Sequence, residues 1–514
     1  MRTLDFIFSP RWPWSRRLVV MSMAFALGAF GCGGGGQGVG GTGGGGGPPP
    51  PTGSTNAFVL GAFPSSPSPL TAATTLGVAT VRPTPNFSWN GEEPVLGGGY
   101  VWELDAMNNT PDTTVRAAQA VGLDLVAVLL PSRREYLPAC AAGDPGVLFA
   151  LPAVAMPAYT AWVGAVVRRY SRTAAEGNAL AMPGLARGVR RFSFTPESGT
   201  NWCPAGDAPG ITSMFQATLA AIHAADPTAQ VLLPFTTEGV YLTAFADGYL
   251  TRSTIVFQGQ TLTRADVAVQ FASNIAFTKA LVAGTTPDAY DLHLYGDADS
   301  IPGRKAWLDA YLISLGRTPV PVVACEGGEP YSKFGETFPT GPSTCPSSPY
   351  VEDANRLAFQ SGALLRHVAL AASSGFGMIT MNLGPEYAAF SAAFGDLDLV
   401  DACGTARPAF WTYQSAIGLL GGYATASEVP SPPASVRLVR FTFPSPRTDV
   451  TIAWDAAAVG TAASPHNLSS VLPFATATVT HAVTVAGVTT PSVTTEASAA
   501  VVFGAVPVLL RAAP

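Results

Sequence analysis

The sequence predicts an α/β fold, a (β/α)8 TIM barrel followed by a C-terminal antiparallel β-sandwich, on three observations. Eight short apolar runs alternate with longer amphipathic segments between residues 58 and 382. The runs are almost continuously apolar, as parallel strands covered on both faces are. Beyond Tyr423 the helical spacing stops and Val, Thr and Ala take over.

Taken in order, strands are expected at 58–63, 77–82, 124–130, 191–195, 230–233, 289–294, 320–325 and 377–382. Helices are expected between them, including 113–121, 158–170, 212–225, 304–315 and 353–374. Eight such units at this length commonly close into a barrel. The competing open, doubly wound sheet lacks the glycine-rich phosphate loop that would follow its first strand. After Pro430, Pro432 and Pro433, strands are expected at 436–443, 450–454, 475–485, 500–503 and 507–511, separated by turn residues as in a small sandwich.

A chain of 514 residues exceeds one ordinary core, which predicts a large unit, 57–423, and a smaller one, 424–514. Hydrophobic residues make up 47% and charged residues 12%, with 54 Gly and 45 Pro. That composition suits a loop-rich globular protein. Residues 1–31 read as an export signal, with Arg2, Arg11, Arg16 and Arg17 ahead of or within the approach to an apolar run ending at Phe30. The run is too short to span a bilayer. Ala29-Phe30-Gly31-Cys32 resembles a bacterial lipoprotein signal, which implies lipidation of Cys32 and a membrane-anchored location; an ordinary secretory signal is the alternative. Ser15-Arg16-Arg17 also resembles a twin-arginine signal. Residues 32–56, rich in Gly, Pro, Ser and Thr, read as a flexible tether.

The formal charge is -6 and the leader is basic, so the remainder is more acidic still. No basic patch with interleaved aromatics follows the leader, which argues against a nucleic-acid partner and for a neutral ligand. Besides Cys32 there are Cys140, Cys203, Cys325, Cys345 and Cys403. None is spaced as a zinc ligand pair, so disulfides are expected rather than a metal, and no cofactor is implied. Cys325, inside an apolar strand, is expected to stay free.

In a barrel of this kind the active site gathers at the carboxyl ends of the strands. The fourth expected strand ends Thr195-Pro196-Glu197 and the seventh ends Ala324-Cys325-Glu326-Gly327-Gly328. The sixth runs Tyr290-Asp291-Leu292-His293-Leu294-Tyr295, and the second ends at Arg82. Two carboxyl groups facing one cleft suit glycosidic cleavage with retention, where one donates and later accepts a proton and the other attacks the anomeric carbon. Either alone is equally a solvated loop carboxylate.

This pattern resembles the clan A glycoside hydrolases, and most closely family 39 and its relatives. Residues Leu76-Gly77-Val78, Val81-Arg82, Trp89, Glu93-Pro94, Gly99-Tyr100, Trp102 and Asp105 resemble the second unit of that barrel. Gly122-Leu123 and Pro131 continue it, as do Ala221 to Pro227 and Arg407-Pro408-Ala409-Phe410-Trp411 further on. The resemblance implies Glu326 as nucleophile, Glu197 as acid/base, His293 and Tyr295 lining the cleft, and Arg82 supporting the nucleophile. Electrostatically, Arg82 would keep Glu326 ionised and Tyr295 would donate a hydrogen bond to it. His293 also suits a plain structural role.

Two departures stand out. Pro196 replaces the asparagine that those enzymes place before the acid/base, with Asn201 the nearest substitute for its sugar contact. Strand eight, Met378-Ile379-Thr380-Met381-Asn382, lacks a tryptophan platform. Trp202, in the loop after Glu197, is favoured over Trp89 and Trp102 for stacking. Glu238, Glu329 and Glu386 are the rival carboxylates, Glu329 foremost. The expected function is a retaining glycoside hydrolase acting outside the cytoplasm on an oligo- or polysaccharide. A carbohydrate-binding pseudoenzyme at the cell surface and an inert structural scaffold are the competing readings.

Overall fold

The computed structural model describes residues 59–63, 70–82, 87–103, 111–141, 147–173, 180–199, 202–257, 259–329, 354–384, 397–401, 404–430, 432–458 and 462–513. The export segment, Cys32, the tether, Asp105, Asn201, Cys345, Glu386 and Cys403 lie outside the described residues.

Eight strands form the barrel: β1 (Val59–Phe63), β2 (Thr80–Val81), β3 (Asp124–Leu130), β4 (Arg191–Ser193), β5 (Gln230–Phe235), β6 (Ala289–Leu292), β7 (Val322–Ala324) and β8 (Phe376–Asn382). Each pairs in parallel with the next, and β8 pairs with β1, so the sheet closes on itself. Closure leaves no barrel edge exposed. Strand β3, DLVAVLL, shows why the apolar runs are continuous: Leu125 to Leu129 are all buried, alternately inside the ring and against helices. A small cluster of Val126, Leu232, Ala289, Val323, Cys325 and Met378 fills the ring.

The second strand is shorter than the expected 77–82. Residues Leu70–Leu76 form a helix, α1, which ends at Gly77 with φ +78°, so extended pairing starts only at Thr80. The remaining outer helices used below are α2 (Pro111–Ala120), α3 (Met156–Tyr170), α4 (Ala208–Ala225), α5 (Ala272–Gly284), α6 (Ile301–Ser314), α7 (Ala354–Ser373) and α8 (Pro408–Leu420). A further helix, Thr237–Ala246, carries buried residues from Val240 to Phe245 without a break, so no polar face betrays it in the sequence.

Beyond the barrel, six antiparallel strands run in the order Thr425–Glu428, Val436–Thr442, Val450–Asp455, Val508–Ala512, Thr476–His481 and Val493–Ala497. The central strands are buried on both faces. Val439, Phe441, Ile452, Trp454 and Leu509 join the main core of the barrel, while Leu438, Ala453 and Leu510 face the other way. That second face shares a cluster with Val501 and Phe503 of a separate ribbon, Ala463–His466 with Val501–Gly504. The period-two alternation of strand side chains produces this division.

The sheet is fixed to the barrel through α7 and α8. The Val483 carbonyl accepts from Ser361 Oγ at 2.6 Å and its amide donates to Thr412 Oγ1 at 2.8 Å. Covered by β8 on one side and by the sheet on the other, α7 is buried along nearly its whole length. Among the described residues, no single helix is long and apolar enough to cross a membrane.

Of the cysteines described, Cys140 and Cys203 form a disulfide, and Cys325 is free and buried, as expected. The bridge joins the loops that follow β3 and β4, next to the short parallel pairing of Leu148–Phe149 with Trp202–Cys203.

The seam where β1 meets β2 and β8 is tight. A Cβ on Gly61 would lie 2.6 Å from Thr380 Cγ2 and 2.7 Å from Thr80 Cγ2. Overpacking of this kind costs about 1–3 kcal/mol. Gly61→Val is therefore expected to lower the stability by that amount, read as a lower urea midpoint at an unchanged slope; an unshifted midpoint would show that the seam has slack.

Candidate active site

The carboxyl ends of β2, β4, β6 and β7 converge, and the backbone there is clamped before any side chain is considered. Glu326 follows β7, and its carbonyl accepts from Leu294 N at 2.8 Å. On the preceding residue, Cys325 N donates to Asp291 Oδ1 at 2.8 Å and the carbonyl accepts from Thr380 Oγ1. Gly327–Gly328 then pairs with Leu294–Tyr295. Gly328 has φ +150°, where a Cβ would lie 2.9 Å from Leu397, so the turn after Glu326 requires glycine.

Glu197 is held in the same fashion. Past the end of β4, Phe194 N and Ser198 N donate to Leu232 and Pro234 carbonyls of β5, both at 3.1 Å, and Ser193 Oγ donates to the Thr195 carbonyl.

Arg82 joins the two segments. Its Nη1 lies 2.5 Å from Glu326 Oε1 and its Nη2 donates to the Pro196 carbonyl at 3.1 Å. The guanidinium is buried, and although burial opposes its charge, Glu326 leads the groups that raise its pKa on balance. Tyr295 OH donates to Glu326 Oε2 at 2.9 Å. His293 Nδ1 lies 2.7 Å from Glu197 Oε1 and 3.4 Å from Glu326 Oε2, so one ring nitrogen contacts both carboxylates. Its Nε2 faces Asp291 Oδ2 at 3.6 Å, an ion-pair distance longer than a hydrogen bond.

Burial works against a charge on His293, but Glu326, Asp291 and Glu197 outweigh it and push its pKa up to about 10. These carboxylates therefore favour the imidazolium form of the ring. Asp291 is buried, a position that disfavours its charge, yet His293 and Arg82 hold its pKa below the usual range. The signal for Asp291 was present in the sequence: Asp291, His293 and Tyr295 occupy every second position at the end of the sixth apolar run.

Glu197, His293 and Glu326 each bring one atom within 4.8 Å of the others, the one such trio among the described residues.

Several side chains lie elsewhere. Trp202 is 4% exposed and packs against Phe194 with ring centroids 6.3 Å apart, so the expected stacking platform is core. Strand pairing with Leu148 turned a loop residue into a buried one. Trp89 is wholly buried, with its Nε1 donating to Glu93 Oε2 at 2.6 Å, and half-buried Trp102 packs on Tyr170. Glu329, the rival nucleophile, points to another neighbourhood, 3.4 Å from Arg366 and accepting from Ala298 N at 3.5 Å; burial pushes its pKa up to about 7.

Sequence reasoning gave no role to Thr237 and Arg304, which support the sixth strand end. Thr237 Oγ1 donates to the His293 carbonyl at 2.8 Å and accepts from Tyr295 N; Arg304 Nη2 donates to the Tyr295 carbonyl at 3.1 Å. Glu238, beside Thr237, has its pKa pushed up to about 7 by burial and by the charge of Glu197.

A closed parallel barrel with an antiparallel sheet on its flank is the fold of a set of solved glycosidases, as the clan A resemblance implies. The chain is similar to a glucosidase from Croceicoccus marinus at 12% identity, covering 89% of this chain and 95% of that one with a TM-score of 0.53. It is similar to a monomeric β-xylosidase from Caulobacter crescentus CB15 at 13% identity, with coverages of 88% and 95% and a TM-score of 0.51. A family 51 α-L-arabinofuranosidase from Bifidobacterium longum gives 13% identity, coverages of 89% and 97%, and a TM-score of 0.51. Likeness at these identities is one of fold. No family model matches the sequence, and no curated protein matches it.

The raised His293 pKa links stability to pH. Its contribution is complete below the unfolded value near 6.5 and disappears as pH rises through about 10. Urea unfolding from pH 6 to 10.5 is expected to show a loss of a few kcal/mol that His293→Gln does not share. Parallel pH profiles for the two proteins would rule out a charged His293.

Proposed function

We propose that the chain is a retaining glycoside hydrolase in which Glu326 is the nucleophile and Glu197 the acid/base. The observation that carries the reading is the separation of the two carboxyl groups, with an oxygen of each within 4.8 Å of the other. Retaining enzymes place their pair about 5–5.5 Å apart, whereas inverting enzymes need roughly 6.5–9.5 Å to admit water.

In the first step Glu197 gives its proton to the glycosidic oxygen while a Glu326 oxygen bonds to the anomeric carbon and the C–O bond to the leaving group breaks. The product is a glycosyl ester on Glu326. In the second step Glu197, now a carboxylate, takes a proton from water as the water oxygen attacks the same carbon. The ester bond breaks, and both side chains return to their starting forms. Arg82 and Tyr295 keep one nucleophile conformation, and the bond from Arg82 to the Pro196 carbonyl sets the position of Glu197 relative to it.

Export, acylation at Cys32 and a tether over 32–56 place the reaction at the cell surface, on an oligo- or polysaccharide. The barrel of 57–423 carries the chemistry and residues 424–514 form a flanking β unit.

Aryl glucosides, xylosides and arabinofuranosides are the first substrates to try. Glu197→Ala is expected to cost about 10²–10⁴-fold in turnover, least with the best leaving groups, and azide should restore part of the rate. A 2-fluoro glycoside should leave its adduct on Glu326, located by peptide mass spectrometry. An adduct on Glu329, or none with any sugar, would sink the assignment.

A further inference from the structure

Six arginines fall between residues 168 and 191 with one acidic residue, Glu176, in a chain whose formal charge is -6. Arg172, Arg187 and Arg190 are exposed and line one open cavity with Asp124, Ala186 and Gly188. Arg191 is half-buried beside them, with its Nε donating to Gln230 Oε1 at 3.3 Å. Arg187 Nη1 donates to the Gly122 carbonyl at 2.6 Å. The side chains of Arg172 and Arg190 make no hydrogen bond or ion pair among the described residues, although the Arg190 carbonyl accepts from Gln230 N at 2.8 Å. Two exposed apolar side chains, Val121 and Leu180, lie in the adjoining turns.

The position of this cluster follows from topology. All eight strands are parallel, so Asp124 at the start of β3 and Arg191 at the start of β4 mark the amino-terminal end of the barrel, away from Glu197 and Glu326. Val59, where β1 begins and to which the expected tether leads, is at that same end. Asp226 and Asp288, which precede β5 and β6, are engaged, by Thr228 at 2.8 Å and by His223 at 2.9 Å. The flanking sheet packs on α7 and α8, across the ring from β4, and leaves the arginines uncovered.

We propose that this arginine face docks on the anionic headgroups of the membrane to which the chain is tethered, so that the catalytic cleft points outward. The idea rests on the export and anchoring reading given above. A Gly-rich tether of this length has a root-mean-square reach of about 25–30 Å. That reach lets the arginine face approach the surface to within the Debye length of about 8 Å over which its charges act. Arginines with apolar neighbours suit an interface better than a small free anion, because headgroup charge and acyl boundary are met together.

The test is co-sedimentation of the full chain carrying Cys32→Ser, which has no acyl group, with vesicles of phosphatidylcholine alone or with 30% phosphatidylglycerol. Binding should favour the anionic vesicles and weaken with salt. Arg172→Gln/Arg190→Gln should lose about five-fold per arginine. Arg134→Gln/Arg511→Gln, which removes the same charge from exposed positions elsewhere, should lose little. Equal loss in both double variants, no preference for anionic vesicles, or displacement by millimolar inorganic phosphate at constant ionic strength would each overturn the proposal. Failure of the anchoring reading shows separately, as absence of the acyl mass on Cys32 of the unaltered chain, and failure of the catalytic reading shows only in the glycoside assays.

Discussion

The site depends on one buried guanidinium. Arg82 stands at the end of a two-residue strand, yet it contacts the carboxylate after β7 and the main chain after β4. Burying such a charge is costly unless its partners are fixed and close. Closure of the barrel supplies that condition, because it brings β2, β4 and β7 within reach of one side chain without any of them being neighbours in sequence. The clamps on Cys325 and on Phe194 and Ser198 then remove the freedom that either glutamate would need to move apart.

Around that pair the charges alternate. His293 lies between Glu197 and Glu326 on one side and faces Asp291 on the other, so these acids favour its charged form and it in turn favours that of Asp291. Glu238, at the start of the helix after β5, adds a further carboxyl that burial, and after it the neighbouring Glu197, pushes towards neutrality. Thr237, next to it, ties that helix to the backbone of His293, so the same turn supports the strand end and brings the extra acid to it.

The parallel barrel also separates tasks by its two ends. Helices and strands deliver the acidic and cationic chemistry at the carboxyl end, while the opposite end carries the arginine cluster and the start of β1. The antiparallel sheet occupies neither end; it lies along α7 and α8 and is keyed there by Val483. In the proposed arrangement anchoring, support and catalysis each have a separate surface.

Sequence by itself determined the local features. Apolar runs located all eight strands, β3 to the residue, because a strand buried on both faces leaves an uninterrupted apolar signature. Placing Glu197 and Glu326 after such runs was enough to nominate them, and the alternation through Tyr295 pointed to the sixth strand. Strands Thr425–Glu428, Ala463–His466 and Val493–Ala497 went unread because they are mostly exposed and lack an apolar face. Trp202 was misplaced for a related reason: burial by a two-residue pairing with Leu148 has no local signature. What only the tertiary structure decided was distance. The contact of Arg82 with Pro196 and the approach of Glu197 and Glu326 to within 4.8 Å join residues more than a hundred positions apart. Such spacings are set by ring closure and strand register, which no local periodicity encodes.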